Sequence, residues 1–454
     1  MNYNKVKKIG LLAGDAGVFY LSLYLTLLLR YWPKPIDELW QSHLAPFSVI
    51  FAVWLLIFYI SNLYDLNLAA NNIAFFKSTG RSLAVGGLLA ILFFYLTPEI
   101  SIAPKRNLFI FILVFAVIFY LWRQFFNWSL KAYLPKNNIA FIGLNSQVKE
   151  LIEEFQAKPH LGFTPTFIID EGSDQEEFKG IKIFNKIGDL PELIKEQKVV
   201  TLVLSSNSSQ SDNLRSILFQ CLPLKINYIS LPNFYESISG KIPVEMINQT
   251  WFLENLNEGG RFWFDFVKNL YDFALALTIL ILTIILWPII GLIIKITSAG
   301  PIFFKQTRVG KNNLTFTIIK FRTMTVANND HAPTRKQDQR VTKFGLLLRK
   351  TRIDELPQVV NILKSEMSFV GPRPERPELI KDLEKNIPFY QERTLVKPGI
   401  TGWDQVSGEY HSPSQEDTLK KLQYDLFYIK NRSIYLDLSI ILKTIATILS
   451  RRGV

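Results

Sequence analysis

The stretch LRKTRIDELPQVVNILKSEMSFVGPRP, residues 348–374, has cations on both sides of an acidic pair, Asp354 and Glu355. Proline is tolerated in the first turn of a helix but not in its interior, so Pro357 predicts a helix that begins near Asp354. The N-terminal end of a helix stabilises negative charge and keeps a carboxylate ionised and nucleophilic. The flanking cations suit a phosphate-bearing ligand. Taken alone, the motif is explained more simply by a capped helix with a salt bridge, so the rest of the chain must decide.

Composition and charge indicate a membrane protein with substantial soluble mass. The chain has 454 residues, of which 48% are hydrophobic, and its formal net charge is +12. The basic residues lie in turns near apolar runs, and there is no zinc-finger or RNA-binding signature. Lipid and phosphate are therefore favoured as partners, and no nucleic acid is expected. Cys221 is the only cysteine, which excludes an intrachain disulfide and a cysteine-rich metal site.

Four apolar runs near the N-terminus predict a four-helix transmembrane bundle, in which the short third run is the weakest candidate span: residues 9–29, 46–63, 82–96 and 108–122. No small-residue cleavage site follows the first run, so no cleavable signal peptide is expected. The lysines and arginines between the runs predict that both ends of the bundle lie in the cytoplasm. Asp15 is costly in lipid and should face the bundle interior, in a helix–helix hydrogen bond or a functional role.

The sequence pattern from residue 136 onward is that of a soluble α/β domain. Strands are predicted at 139–142, 166–170, 199–205 and 226–231, with helices between them, which implies a parallel, doubly wound, Rossmann-like sheet. A dinucleotide site needs a glycine-rich turn after the first strand, but this turn contains only Gly143. Packing or regulation is therefore favoured over NAD binding.

A fifth apolar segment, residues 264–296, contains Pro288 and has basic residues on both flanks. Proline in a helix interior removes a hydrogen bond and produces a kink. A re-entrant helix that enters one leaflet, breaks at Pro288 and returns satisfies both observations. A fifth membrane span with an unusual charge pattern is the alternative.

The remainder, residues 298–454, contains turn glycines among apolar strands, a basic loop at 326–340 that is predicted to be mobile, and an apolar C-terminal helix. That helix is expected either to lie at the membrane interface or to pack as a buried amphipathic helix.

The motifs of this region resemble those of the bacterial sugar transferases, the monotopic phosphoglycosyl transferase superfamily. The matching segments occur in the family's order: GPIFFKQTRVG (300–310), KFRTM (320–324), LRKTRIDELPQ (348–358), MSFVGPRP (367–374) and KPGITGW (397–403). The front of the chain resembles the large, polyprenyl-phosphate hexose-1-phosphate transferase members. The resemblance implies a transmembrane bundle at 1–130, a Rossmann-like domain at 136–250, and a catalytic α/β domain at 260–454. A re-entrant helix at 265–296 would anchor that catalytic domain.

The resemblance also implies a ping-pong reaction at the cytoplasmic face of the inner membrane. Asp354 matches the family's nucleophile, which takes a phosphosugar from a UDP-sugar, releases UMP and passes the phosphosugar to undecaprenyl phosphate. Glu355 matches the second acid, as general base or partner in a Mg²⁺ site with Asp354. The other matching residues are phosphate-binding or supporting groups: Arg349, Arg373, Lys320, Arg322, Pro372, Asp425 and Asp437. For Asp425 and Asp437, a structural hydrogen bond stays open as the alternative. A homodimer is also implied.

Two departures and two competing functions accompany this interpretation. Asp404 and Glu409 differ from the residues usual in the GITGWxQV region, which puts any transfer of sugar specificity in doubt. Membrane-anchored sugar-nucleotide dehydratases share a similar front end. They would need a Tyr-x-x-x-Lys pair, which no tyrosine after residue 265 provides. A non-enzymatic scaffold would tolerate substitution of Asp354 and Arg373.

Overall fold

The chain forms two compact units, Met1–Leu231 and Pro232–Val454. A computed structural model describes residues 3–61, 63–64, 73–97, 104–133, 137–158, 161–205, 212–256, 261–325, 338, 340–407 and 414–449. Glu409 lies outside these described residues, and so does the predicted loop at 326–340 except for residues 338 and 340.

Four long apolar helices begin the first unit: α1 (Tyr3–Tyr31), α2 (Asp37–Ile60), α3 (Ile73–Leu96) and α4 (Pro104–Tyr133). Each is long and apolar enough to cross a membrane. All four contribute to one cluster of buried aromatic and aliphatic side chains. The third helix is longer than its apolar run predicted, because the polar stretch that includes Lys77 and Arg81 is also helical.

The interior of these helices contains a buried ion pair. Asp15 is fully buried, accepts from Arg123 Nη2 at 2.5 Å, and accepts from Trp122 Nε1 at 3.0 Å. The prediction that Asp15 faces the interior is confirmed. Arg123, the residue that follows the fourth apolar run, lies within α4 and is 1% exposed. A charge buried in an apolar setting needs a partner, and each of these two residues supplies it for the other.

The α/β part of the first unit contains β1 (Asn137–Ile142), α5 (Ser146–Ala157), β2 (Phe163–Ile169), β3 (Glu177–Phe178), β4 (Ile181–Phe184), α6 (Leu190–Glu196), β5 (Thr201–Leu204), α7 (Asp212–Cys221) and β6 (Asn227–Ser230). The sheet order is β3-β4-β2-β1-β5-β6, and the strand order reverses at β1, as in a doubly wound sheet. The purely parallel prediction is wrong at one edge. The short strand β3 pairs antiparallel with β4, because a tight turn joins them.

The segment after β6 packs within the second unit. It contains α8 (Leu231–Ser239) and α9 (Gln249–Asn255). Ile242 N–H donates to the Gln423 carbonyl at 3.1 Å, and Trp403 Nε1 donates to the Gly240 carbonyl at 3.0 Å. Residues 232–256 therefore share a core with the C-terminal helices.

The fifth apolar segment forms two helices, α10 (Phe262–Thr283) and α11 (Leu286–Thr297), joined at Ile284 and Ile285. Pro288 lies in the first turn of α11, so the break precedes the proline rather than falling on it. The physical reason is that proline fits the first turn of a helix and has no N–H to donate to the Ile284 carbonyl.

The rest of the second unit follows these two helices in the chain and packs against part of their surface. Its elements are β7 (Phe303–Val309), β8 (Thr315–Phe321), α12 (Lys343–Lys350), α13 (Val359–Leu363), β9 (Ser368–Val370), α14 (Pro377–Asn386), β10 (Gly399–Thr401), α15 (Trp403–Val406), α16 (Gln415–Asn431) and α17 (Ile434–Leu449). Ala276 of α10 belongs to one buried cluster, together with Phe316 and Ile318 of β8. Ile294 of α11 belongs to another, together with Phe321, the last residue of the same strand.

Candidate functional site

The acidic pair lies in the first turn of a short helical segment. Arg352 adopts a left-handed conformation with φ 57°, and a 3-10 helix then spans Ile353–Gln358 before α13 begins. A helix start near Asp354 was predicted, and the observed start is one residue earlier. Pro357 cannot donate to the Ile353 carbonyl, which removes one α-helical hydrogen bond from this turn. Both carboxylates therefore lie at the N-terminal end of the segment.

Glu355 lies at the centre of three cations. Its Oε1 accepts from Lys320 Nζ at 2.8 Å and from Arg373 Nη2 at 3.1 Å, and its Oε2 lies 3.5 Å from Arg352 Nη1. Burial alone would raise the pKa of Glu355, but Arg373, Lys320 and Arg352 hold that pKa well below its usual range. Such a carboxylate is a weak base at neutral pH. Its geometry is that of a counter-ion that gathers cations.

The carboxyl group of Asp354 has a raised pKa, in contrast to that of Glu355. The residue is 9% exposed, and its Oδ1 is buried without a hydrogen-bond donor in the part of the chain that the structure describes. Burial, followed by the charge of Glu355, raises the pKa of Asp354 to about 6 against the lowering effect of Lys320, Arg349 and Arg352. At neutral pH the carboxylate is thus mostly ionised but poorly solvated. This is the condition in which a carboxylate is reactive towards an electrophile.

The other predicted cations take different positions. Arg349 Nε donates to Thr323 Oγ1 at 2.8 Å. Arg322 Nη2 donates to the Ser298 carbonyl at 2.7 Å, while its buried Nε and Nη1 have no acceptor among the described residues. The geometry thus brings Lys320 and Arg373 together at Glu355. Within the described residues, neither Arg349 nor Arg322 forms an ion pair with that carboxylate.

The GPRP turn is held against the strand β10. Gly399 N–H donates to the Pro372 carbonyl at 2.9 Å, and Gly371 N–H donates to the Thr401 carbonyl at 2.9 Å. A Cβ at Gly371 would lie 2.3 Å from the Lys397 carbonyl oxygen, so only glycine allows this approach. Pro372 and Pro374 are buried, whereas the Arg373 side chain between them is 43% exposed. The turn therefore presents one guanidinium to solvent and to Glu355.

Asp425 and Asp437 have the contacts of buried structural carboxylates. Asp425 Oδ2 accepts from Arg393 Nε at 2.8 Å. Asp437 Oδ1 accepts from the Tyr428 hydroxyl at 2.8 Å, and its Oδ2 pairs with Lys268 of α10 at 2.5 Å. Both residues are at most 2% exposed. These contacts correspond to the structural alternative that the sequence left open.

Sequence reasoning missed two contributors to this site. Arg352 was counted among the flanking cations but not among the site residues; its three-residue spacing from Glu355 was the available signal. Arg393 lies in no segment of the family resemblance, yet its Nη2 donates to the Arg373 carbonyl at 3.1 Å. Nothing in its local sequence indicates this contact, because Arg393 and Arg373 meet only in the folded unit.

The residues of the site fit Mg²⁺ only in part. No group of three or more metal-ligating side chains occurs among the described residues. Asp354 Oδ1 is a buried oxygen with a free lone pair, while Glu355 is already occupied by cations. Mg²⁺ in phosphoryl-transfer sites is commonly held by one or two carboxylates together with substrate phosphates. Asp354 with a bound diphosphate matches that donor set.

The crevice of the α/β sheet is a second candidate site, and its turn is internally satisfied. Leu144 N–H donates to Asp170 Oδ2 at 3.0 Å, and Val148 N–H donates to the Asn145 side chain at 2.9 Å. A diphosphate at this turn would meet a carboxylate instead of free N–H groups. The described residues of this crevice therefore do not fit a dinucleotide or another diphosphate cofactor.

Comparison with known proteins gives two family matches. Residues 263–451 match the family "Bacterial sugar transferase", and residues 60–232 match the family "CoA-binding domain". The second match covers the α/β sheet, whose turn does not fit the diphosphate of CoA.

Individual relatives extend the first match. A UDP-N-acetylgalactosamine-undecaprenyl-phosphate N-acetylgalactosaminephosphotransferase of Aeromonas hydrophila is 37% identical over 242 residues, 52% of this chain and 55% of that protein. An uncharacterised sugar transferase of Bacillus subtilis is 38% identical over 192 residues, 41% of this chain and 90% of its own length.

A longer match comes from Xanthomonas campestris. Its UDP-glucose:undecaprenyl-phosphate glucose-1-phosphate transferase is 32% identical over 328 residues, 69% of this chain and 67% of that protein. Because that match reaches upstream of the 263–451 region, it includes more than the part that carries the acidic pair. The chain therefore belongs to the bacterial sugar transferase family and is of the large polyprenyl-phosphate hexose-1-phosphate transferase type.

Proposed function

We propose that this protein transfers a sugar 1-phosphate from a UDP-sugar to undecaprenyl phosphate, giving the lipid diphosphate sugar and UMP. This would be the initiating step of exopolysaccharide, capsule or O-antigen synthesis. The observation that carries the proposal is a buried carboxylate oxygen on Asp354, without a donor in the described chain, beside a cluster of cations that includes the exposed Arg373. The names of the relatives support the same substrate classes.

The proposed reaction has two steps. Asp354 attacks the β-phosphorus of the UDP-sugar. A bond forms between the carboxylate oxygen and phosphorus, and the bond to the bridging oxygen breaks, so UMP leaves with that oxygen. A phosphate oxygen of undecaprenyl phosphate then attacks the same phosphorus and releases the carboxylate. Because the nucleophile is regenerated, atoms and charge balance over the cycle.

The cations and Glu355 have distinct parts in this scheme. Arg373 and Lys320 stabilise the charge that develops on the phosphoryl oxygens, while Arg352 helps to neutralise Glu355. Glu355 keeps these three cations within reach of one another, and its depressed pKa argues against a role as general base. When bound, Mg²⁺ would neutralise diphosphate charge, with Asp354 as its protein ligand. Glu355 as a metal ligand, which the resemblance implied, would first have to leave its cations.

The helices α10 and α11 are proposed to form the re-entrant membrane anchor. Ala276 and Ile294 are eighteen residues apart, about 27 Å along a straight helix. The buried clusters to which they belong include Ile318 and Phe321 of β8, which are three residues apart, about 10 Å along a strand. A chain that turns back between α10 and α11 reconciles these two distances.

The surface of α10 and α11 supports insertion into one leaflet. Ten large apolar side chains between residues 262 and 297 are each more than half exposed: Phe262, Trp263, Phe266, Leu270, Ile281, Leu282, Ile285, Ile289, Leu292 and Ile296. The polar ends of the helix pair bond to the catalytic unit, through Lys268 with Asp437 and through Ser298 with Arg322. We propose that this unit lies on the cytoplasmic face of the inner membrane and that α1–α4 span it. The homodimer stays a prediction from the resemblance, which cross-linking in detergent tests.

Release of UMP tests the proposed function. The full-length protein in detergent is incubated with a panel of UDP-sugars, first alone and then with undecaprenyl phosphate. We expect UMP release before lipid is added, a mass increase of one phosphosugar on Asp354, and loss of both in Asp354→Asn. Asp382→Asn, an exposed acid-to-amide change in α14, is the matched control and should keep full activity. If UMP is released only in the presence of undecaprenyl phosphate, the two-step scheme is wrong.

A further inference from the structure

The turn around Arg373 is held through its carbonyl oxygens. Pro372 and Pro374 flank Arg373, and proline has no N–H to donate. Four consecutive carbonyls each accept one hydrogen bond, from Gly399 N to Pro372, Arg393 Nη2 to Arg373, Arg308 Nη1 to Pro374 and Val309 N to Glu375. The two outer bonds come from backbone N–H groups. The two inner bonds, next to the guanidinium of Arg373, come from arginine side chains.

Arg393 is committed to protein acceptors at all three nitrogens. Its Nε donates to Asp425 at 2.8 Å, its Nη1 to the Tyr390 hydroxyl at 2.5 Å, and its Nη2 to the Arg373 carbonyl at 3.1 Å. The residue is 9% exposed. Arg393 therefore supports the turn from the buried side and does not face the solvent-accessible side of the site.

Arg308 repeats this arrangement from the strand β7. Its Nη1 donates to the Pro374 carbonyl at 2.9 Å, and its Nη2 donates to Gln306 Oε1 at 2.7 Å. Glu375 Oε2 lies 3.7 Å from Nη1 and neutralises part of the charge. Arg308 and Arg393, which lie in two different elements, thus donate to neighbouring carbonyls of the turn.

We propose that Arg393 and Arg308 are positioning residues for the phosphoryl transfer. By fixing the backbone of the GPRP turn, they hold the Arg373 guanidinium at Glu355 and aimed at substrate phosphate. The inference rests on the proposed function for its chemistry. Within the described residues, neither arginine forms a hydrogen bond or ion pair with Glu355 or Asp354, so both act through Arg373.

The choice of arginine has a physical reason. A planar guanidinium donates in several fixed directions, so one side chain can bond a carboxylate, a hydroxyl and a carbonyl at once, which the single ammonium of lysine cannot reproduce. A cavity of only about 20 Å³ lies along the turn and is lined by Arg373, Tyr390 and Arg393, so there is room for about one water molecule. A shortened side chain would leave the Arg373 carbonyl without a rigid donor. Displacement of a positioning group by about 1 Å can cost on the order of 100-fold in rate.

A double-substitution cycle on the full-length protein tests this inference. The variants are Arg393→Lys, Arg308→Lys, Arg373→Ala and the two corresponding doubles. The readouts are kcat/KM for UMP release and the affinity for inorganic pyrophosphate. We expect each lysine variant to lose roughly 10- to 100-fold in kcat/KM and to bind pyrophosphate more weakly. In the Arg373→Ala background the same lysine substitution should lower kcat/KM by less than about threefold, because there is no longer an Arg373 guanidinium for it to displace.

The opposite outcomes are equally definite. Lysine variants with wild-type activity, or losses that multiply fully with Arg373→Ala, would overturn the positioning role. If Arg393→Lys fails to fold, Arg308→Lys carries the same test from the other carbonyl. Arg215→Lys, at an exposed position on α7 of the first unit, is the matched control. A wild-type protein that binds pyrophosphate but releases no UMP would refute the proposed function, while the pyrophosphate cycle would still decide the positioning role.

Discussion

At the scale of single residues, two adjacent carboxylates are in opposite electrostatic states. Glu355 is a stable anion because its three cations outweigh the cost of burial, whereas Asp354 bears the cost of burial and the repulsion of Glu355. One carboxylate organises the site and the other is left reactive. The division follows from which side chain points at Lys320 and Arg373, which the sequence D-E alone does not specify.

Glu355→Gln tests the organising role. Gln keeps an acceptor oxygen but removes the charge, so Lys320, Arg352 and Arg373 repel one another. We expect kcat/KM for UMP release to fall by roughly 10- to 100-fold, about 1.4 to 2.7 kcal/mol of transition-state stabilisation. Removing one cation as well, in Glu355→Gln with Arg352→Gln, should recover part of the loss. A general base lost by substitution would not be restored in this way.

Asp354→Asn should stabilise the fold while abolishing transfer. A pKa raised from 3.8 to about 6 means that the folded state disfavours the charged carboxylate. The destabilisation develops as pH rises from about 4 to 6 and is complete above that, at roughly 3 kcal/mol. In EDTA at pH 8 the variant should therefore melt several degrees above wild type, and the difference should vanish near pH 4. Equal melting temperatures at pH 8 would contradict the strained state of this carboxylate.

At the scale of elements, periodicity predicted the helices and strands well, and proline predicted where one helix breaks. The runs at 9–29, 46–63, 82–96 and 108–122 all lie in or largely overlap observed helices, whose ends run into polar residues that hydropathy does not count. The break near Pro288 was predicted three residues late. The strands β3 and β4 were both missed, and β3 has only two residues, too few to carry a periodic signal.

At the scale of the whole molecule, both ends of the helix pair α10–α11 bond to the rest of the second unit. Arg261 bonds the Ile429 carbonyl at the start of α10, and Ser298 bonds Arg322 just after α11. Both ends of the helix pair thus belong to one catalytic unit. The attachment of both helix ends to one unit favours a chain that enters and leaves the membrane on the same side.

Cysteine labelling tests this topology. Cys221 is buried and is the only cysteine, so Cys221→Ala gives a background without thiols. Leu253→Cys precedes α10 and Leu314→Cys follows α11, and these positions are 84% and 72% exposed. An impermeant maleimide should label both in inverted membrane vesicles and neither in intact spheroplasts, with full labelling in detergent as the control. Labelling of one position in each preparation would mean that the segment crosses the bilayer.

The sequence by itself determined the apolar helices, the alternation that makes the doubly wound sheet, and the acid pair with its motif neighbours. These properties are local: they follow from hydropathy, from proline and from the spacing of charges within one segment. Only the tertiary structure decided that Glu355 takes the cations, that Asp354 is left with a buried free oxygen, and that Arg393 holds the turn of Arg373. The reason is that burial and charge neighbours come from residues distant in the chain, which meet only when β8, the 3-10 helix and the GPRP turn pack together.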